Sequence, residues 1–113
     1  MSVIQKRFTS YDLHYLSNST AIYGTRYSNA EVTLNVSNNQ EGYIGRIHFR
    51  EEFPVRANFI DVNNFINIHY HINRFNDIIN ILRYEKPLYI YIETVHYGGG
   101  ISTESERVGD QEP

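Results

Sequence analysis

The chain predicts an α+β fold: a mostly antiparallel sheet of six or seven strands with one helix in its C-terminal half. Three observations carry that expectation. The apolar share, 41% of 113 residues, rests on Ile and on ten Tyr and six Phe, with no Trp. Such β-branched and aromatic side chains suit half-buried sheet surfaces. Period-2 alternation recurs from the N-terminus to Tyr70, whereas a helical period is strong in one stretch, Ile72 to Leu82.

Val3 to Phe8 and Asp12 to Leu16 are short strand candidates, either separate or one bent strand. Ala21 to Tyr27 follows the polar turn signal Ser17-Asn18-Ser19-Thr20. From Glu31 to Val36 the alternation is cleanest, with Val32, Leu34 and Val36 on one face. The polar run Ser37 to Gly42 suits a hairpin loop. The next strand, Tyr43 to Arg50, sets Tyr43, Gly45, Ile47 and Phe49 against Ile44, Arg46, His48 and Arg50. Pro54 ends it, since proline cannot donate to a ladder. After a less regular Asn58 to Asn63, the run Asn64 to Tyr70 alternates again, with Ile66, Ile68 and Tyr70 opposite Phe65, Asn67 and His69.

The period then changes. Ile72, Phe75, Ile78, Ile79 and Leu82 occupy one face of a helix over about residues 73–84. Asn73 is its expected N-cap, and Asp77 and Arg83 suit the two ends of the macrodipole. Pro87 stops it. Leu88, Ile90 and Ile92 alternate with Tyr89, Tyr91 and Glu93, and Gly98-Gly99-Gly100 permits a tight turn with positive φ. Ile101 to Val108 returns as a polar edge strand. Residues 1–108 thus read as one domain and 109–113 as a frayed acidic tail. The sheet packs one face on the helix, or closes to a partly open barrel with the helix plugging one end. A lone helix covers only part of so wide a sheet, which leaves room for a homo-oligomer.

Charge and composition narrow the function. The net charge is −3 and no Lys/Arg run exists, so duplex nucleic acid is a poor partner. With no cysteine, disulfides, zinc ribbons and thiol catalysis are excluded. The N-terminus lacks a signal-peptide core, and no apolar run approaches the roughly 18 residues of a membrane helix. A cytoplasmic location and no membrane partner are the expectations. Heavy use of Asn, Ile and Tyr suggests an A/T-rich genome, as in a low-GC bacterium or its phage.

Two groups of side chains could do chemistry. His69 and His71 lie two apart on a strand, and His48 joins them if the Tyr43–Arg50 strand is a neighbour. Converging imidazoles make a metal site, but no carboxylate stands at ligand spacing, and hydrogen-bonded histidines on a polar face explain them more simply. Second, Arg46-x-His48-x-Arg50 puts cationic groups on one strand face. With Arg26, or with Tyr89 and Tyr91 from another strand, they would form a basic, aromatic-walled pocket suited to a nucleotide. Cross-strand pairing with Glu31, Glu93 or Glu104 is the plainer reading. The glycine run lacks the Lys and following helix of a phosphate-binding loop, and no nucleophile elbow is present.

The block Leu82-Arg83-Tyr84-Glu85-Lys86-Pro87-Leu88, closing with Thr103-Glu104-Ser105-Glu106-Arg107-Val108-Gly109-Asp110, resembles small uncharacterised bacterial and phage proteins. Their C-terminal halves run helix, strand, glycine turn and an acidic end. The resemblance implies a stand-alone bacterial or phage-borne domain and brings no activity with it. The expected function is non-catalytic binding, of a protein partner or a small anionic ligand, on Arg46, His48, Arg50, His69, Tyr89 and Tyr91. No metal or cofactor is expected. The alternatives are a small metal- or histidine-dependent phosphodiester hydrolase using His48, His69 and His71, and an assembly subunit of a homo-oligomer.

Overall fold

The computed structural model describes residues 2–15, 30–51 and 54–103. The order of elements is β1 (Val3–Phe8), β2 (Ser10–Tyr15), β3 (Ala30–Asn38), β4 (Gly42–Arg50), β5 (Phe59–Ile60), β6 (Ile66–His71), a 3-10 turn (Ile72–Arg74), α1 (Phe75–Tyr84), β7 (Leu88–Glu93) and β8 (Gly99–Thr103). The α+β class, the mostly antiparallel pairing and the helix in the C-terminal half are as expected. The described strands form two open sheets, ordered β1-β7-β8 and β2-β3-β4-β6-β5. The strand expected over Ala21 to Tyr27 and the edge strand beyond Thr103 lie outside the described residues.

β1 and β2 are one strand bent at Thr9, which transfers the chain from the three-stranded sheet to the five-stranded one. Thr9 N–H donates to Ser37 O (2.9 Å), so the corner keeps its backbone bonds satisfied. Between the sheets lies one apolar core. Val32, Leu34 and Val36 of β3, Ile47 and Phe49 of β4, and Ile66 and Ile68 of β6 meet Leu88, Ile90 and Ile92 of β7. Ile78, Ile79 and Leu82 of α1 complete it, and Phe75 sets its ring edge-on to Phe49 at 5.2 Å. The apolar face that a lone helix would leave bare is covered by the second sheet.

Three sequence expectations are corrected. A bulge between Val36 and Ser37 leaves Ile44 unpaired on β4, because Val36 faces Gly45 and Ser37 faces Tyr43. Alternation inverts there: Ile44 is buried and Tyr43 turns outward to hydrogen-bond Asp12. Asn73 does not cap the helix: His71 caps the 3-10 turn that leads into it, and the N-cap position of α1 is Arg74, with no side-chain cap bond. His71 Nδ1 accepts from Asn73 N–H (3.1 Å), and a 3-10 turn precedes the α-helix proper. Finally, positive φ at the β7–β8 connection falls on Tyr97 (φ 60°), not on the glycines.

Gly99 and Gly100 serve close approach instead. A Cβ on Gly99 would meet the Tyr91 carbonyl oxygen and stand 2.9 Å from the Ile68 side chain, and one on Gly100 would stand 2.8 Å from the Tyr70 hydroxyl. Gly45 is equally confined, its Cβ position lying 2.6 Å from Ile66 O and 2.9 Å from the Ile90 side chain. Glycine at these sites lets the sheets approach each other and lets β4 seat β6. Gly98 meets nothing within 4 Å. Gly45→Ala is expected to destabilise the fold by about 2 kcal/mol or more, and Gly98→Ala by roughly 0.5 kcal/mol or less, in chemical denaturation. Equal costs at the two positions would show that the sheet spacing tolerates a methyl group at Gly45.

Candidate functional site

The outer face of the five-stranded sheet is polar because β4 and β6 alternate in phase. They pair in parallel, with Gly45 beside Ile66, Ile47 beside Ile68 and His48 beside His69. Each core pair on one side thus has a polar pair on the other. β5 folds back antiparallel on β6, so β6 lies between β4 and β5. A groove of about 660 Å³ runs over this face, and Arg46, His48, Arg50, Arg56, Phe59, Asp61, Asn67 and His69 are among its lining residues.

Its floor is a row of stacked rings. The His48 and His69 imidazoles lie 4.6 Å apart at an interplanar angle of 14°, and Phe59 continues the row at 5.9 Å from His69. Phe59 is 45% exposed and so closes the row with an open aromatic face. On the other flank Arg46 lies over the Phe65 ring, 5.4 Å from its centroid, and its Nε donates to Asn35 Oδ1 (3.2 Å).

A buried amide sets the tautomer of His48. Asn67, 1% exposed, donates from Nδ2 to Phe65 O (3.1 Å) and Asp61 Oδ2 (3.3 Å). Its Oδ1 is thereby turned to His48 Nε2 at 2.9 Å, and can only accept. His48 therefore carries its proton on Nε2. The Asp61 carboxylate is itself anchored, accepting from Asn63 N–H and Phe65 N–H in a tight turn where Asn64 takes φ 64°. Burial pushes its pKa up, but the Phe65 and Asn63 amides, the Asn67 side chain and the Arg46 cation outweigh it and hold the carboxyl below its ordinary range.

Both imidazoles are pushed toward the neutral form. His48 is pushed below the usual histidine value by burial and then by Arg50 and Arg46, against the Asn67 hydrogen bond. His69 is pushed down to about 4 by burial and then by the neighbouring His48, Arg50 and Arg56, against a hydrogen bond to the Ala57 backbone. Nδ1 of each ring is buried with no hydrogen-bond partner among the described residues. Two nearly parallel rings send their in-plane lone pairs side by side, so these nitrogens do not converge on one metal ion. His71 is engaged elsewhere, between Asn73 N–H and Glu51 O (3.0 Å). The convergence of His48, His69 and His71 considered from spacing is thus replaced by a stacked pair and the cap of a 3-10 turn. No group of three His, Cys, Asp or Glu suited to a metal exists among the described residues.

Of the six residues expected at the site, Arg46, His48, Arg50 and His69 stand together in the groove, and Tyr89 and Tyr91 do not. These tyrosines belong to β7 of the other sheet, alternating with the buried Leu88, Ile90 and Ile92. Phe59, with Phe65 at the Arg46 flank, supplies the aromatic surface in their place. Arg56, Phe59, Asp61 and Asn67 escaped the sequence reading. Asn67 carried a signal, since it shares a strand face with His69; the Asp61-Val62-Asn63-Asn64 turn carried another. The chain matches no known protein family, no curated protein and no solved structure.

The stacked pair makes a prediction about acid. The unfolded imidazole of residue 69 takes a proton near 6.5 and the folded one near 4. As pH falls through that window the unfolded chain binds protons that the folded chain refuses, so stability declines by on the order of 3 kcal/mol at most from His69. His48 acts in the same direction, while Asp61 adds its own loss only at lower pH. Denaturation midpoints measured from about pH 7 to about pH 4.5 are expected to fall, and to fall less in His69→Phe. An unchanged slope in that variant would assign the acid sensitivity elsewhere.

Proposed function

We propose that this chain is a non-catalytic binding protein, of bacterial or phage origin, that captures a small anionic, nucleotide-like ligand in the groove over β4, β6 and β5. The observation that carries this reading is the lining itself: three guanidiniums, from Arg46, Arg50 and Arg56, against the single carboxylate of Asp61. Arg46 stands 4.0 Å from Asp61. Guanidinium forks match phosphate oxygens, and the open face of Phe59 offers a stacking surface for a base. The volume falls within the range of small-molecule sites.

Binding is favoured over hydrolysis by the arrangement of the histidines. General acid–base cleavage of a phosphodiester needs groups that reach the attacking and leaving oxygens. Here the two imidazoles stack on each other, and Nε2 of His48 is committed to Asn67. The stacked rings form a flat floor to the groove.

Calorimetric titration of the full chain with adenosine monophosphate is the test, with adenosine and inorganic phosphate as its two halves. The nucleotide is expected to bind more tightly than either half. The double variant Arg46→Gln/Arg56→Gln is expected to weaken binding by about tenfold or more, and added salt to weaken it further. No heat with the nucleotide, or binding indifferent to both arginines, would overturn the reading.

A further inference from the structure

A second cleft, of about 490 Å³, lies where β1 bends into β2 and where α1 gives way to β7. One wall is Arg7 to Tyr11, and the other is Leu82 with Glu85 to Leu88. The corner at Thr9 and the break at Pro87 open it, because neither connection can pack flush against the other. Its floor is apolar: Phe8, Leu82 and Leu88 belong to the core, and Tyr11 packs against it. The cleft shares no lining residue with the groove over β4 and β6.

The rim carries Arg7, Glu85 and Lys86. Lys6 pairs with Glu41 at 3.5 Å, Arg46 approaches Asp61, and Arg74 pairs with Asp77 at 3.7 Å. Among the described residues, Arg7 and Lys86 make no ion pair with a carboxylate, and Glu85 makes none with a cation. Among the described lining residues, two cations and one carboxylate stand over an apolar floor. An apolar cavity with few polar groups at its mouth is the form that small-molecule sites take.

We propose that this cleft binds a small amphiphile bearing one negative charge, an aryl or short alkyl carboxylate. Its apolar body lies on Phe8, Leu82 and Leu88, and its carboxylate lies between Arg7 and Lys86. Glu85 at the same rim repels a second negative charge, which selects a carboxylate over a phosphate dianion. The apolar floor selects against ions that bring no hydrocarbon with them.

The test is an amide-resolved NMR titration of the full chain with 3-phenylpropionate and with its neutral analogue, 3-phenylpropionamide. Saturable shifts are expected at Phe8, Leu82 and Leu88 and their neighbours, with the acid bound about fivefold or more tightly than the amide. In Arg7→Gln/Lys86→Gln the acid is expected to fall to the level of the amide; both positions are exposed, and a dispersed spectrum verifies that the variant folds. Should that variant fail to fold, the comparison of acid with amide in the unaltered chain decides. No saturable shift at the cleft, equal affinity for acid and amide, or equal response to inorganic phosphate would each overturn the proposal.

Discussion

Parallel pairing of β4 with β6 is the constraint on which the rest of this protein depends. In the observed register Ile47 and Ile68 point into the core while His48 and His69 meet on the outside. A slip by one residue would turn the isoleucines to water and the imidazoles into hydrocarbon. Core burial therefore holds the register, and the register in turn sets the distance between the two rings. The groove is a by-product of the hydrophobic core, made on the opposite face of the same two strands.

Buried polarity then gives that face a fixed shape. Asn67 is almost wholly enclosed, yet each end of its amide is satisfied, by Asp61 and Phe65 on one side and His48 on the other. Such a network costs little while complete and much if one member is lost. It specifies which nitrogen of His48 holds the proton and keeps the ring from turning. Imidazoles pushed toward the neutral form beside three arginines also limit the repulsion that a fully charged face would impose on the fold.

The division into two sheets makes the second cleft possible. A single strand passes from one sheet to the other at Thr9, and glycine at residues 45 and 99 lets the layers approach through Ile90 and Ile68. Where the chain passes from one sheet to the other, the second cleft lies against the end of α1 and the start of β7. The apolar floor of the cleft thus lies at a corner of the chain, as the polar groove is the consequence of a register.

Local pattern alone determined much of this protein: the α+β class, the strands carrying Val32 to Val36 and Leu88 to Ile92, and the place of the helix. Those features follow from periodicity, which is written in consecutive residues. Arg46, His48 and Arg50 could be assigned to one face for the same reason, and His69 to the face opposite Ile68. Which strands become neighbours is not a local property. Spacing could not show that β6 inserts beside β4 while β7 joins another sheet, so Tyr89 and Tyr91 were placed with the arginines and are not there. Nor could it show that His71 would cap a 3-10 turn, or that a bulge at Ile44 would send Tyr43 outward. Those outcomes were decided by tertiary structure, because pairing order and layer spacing arise from the shared core that distant strands bury together.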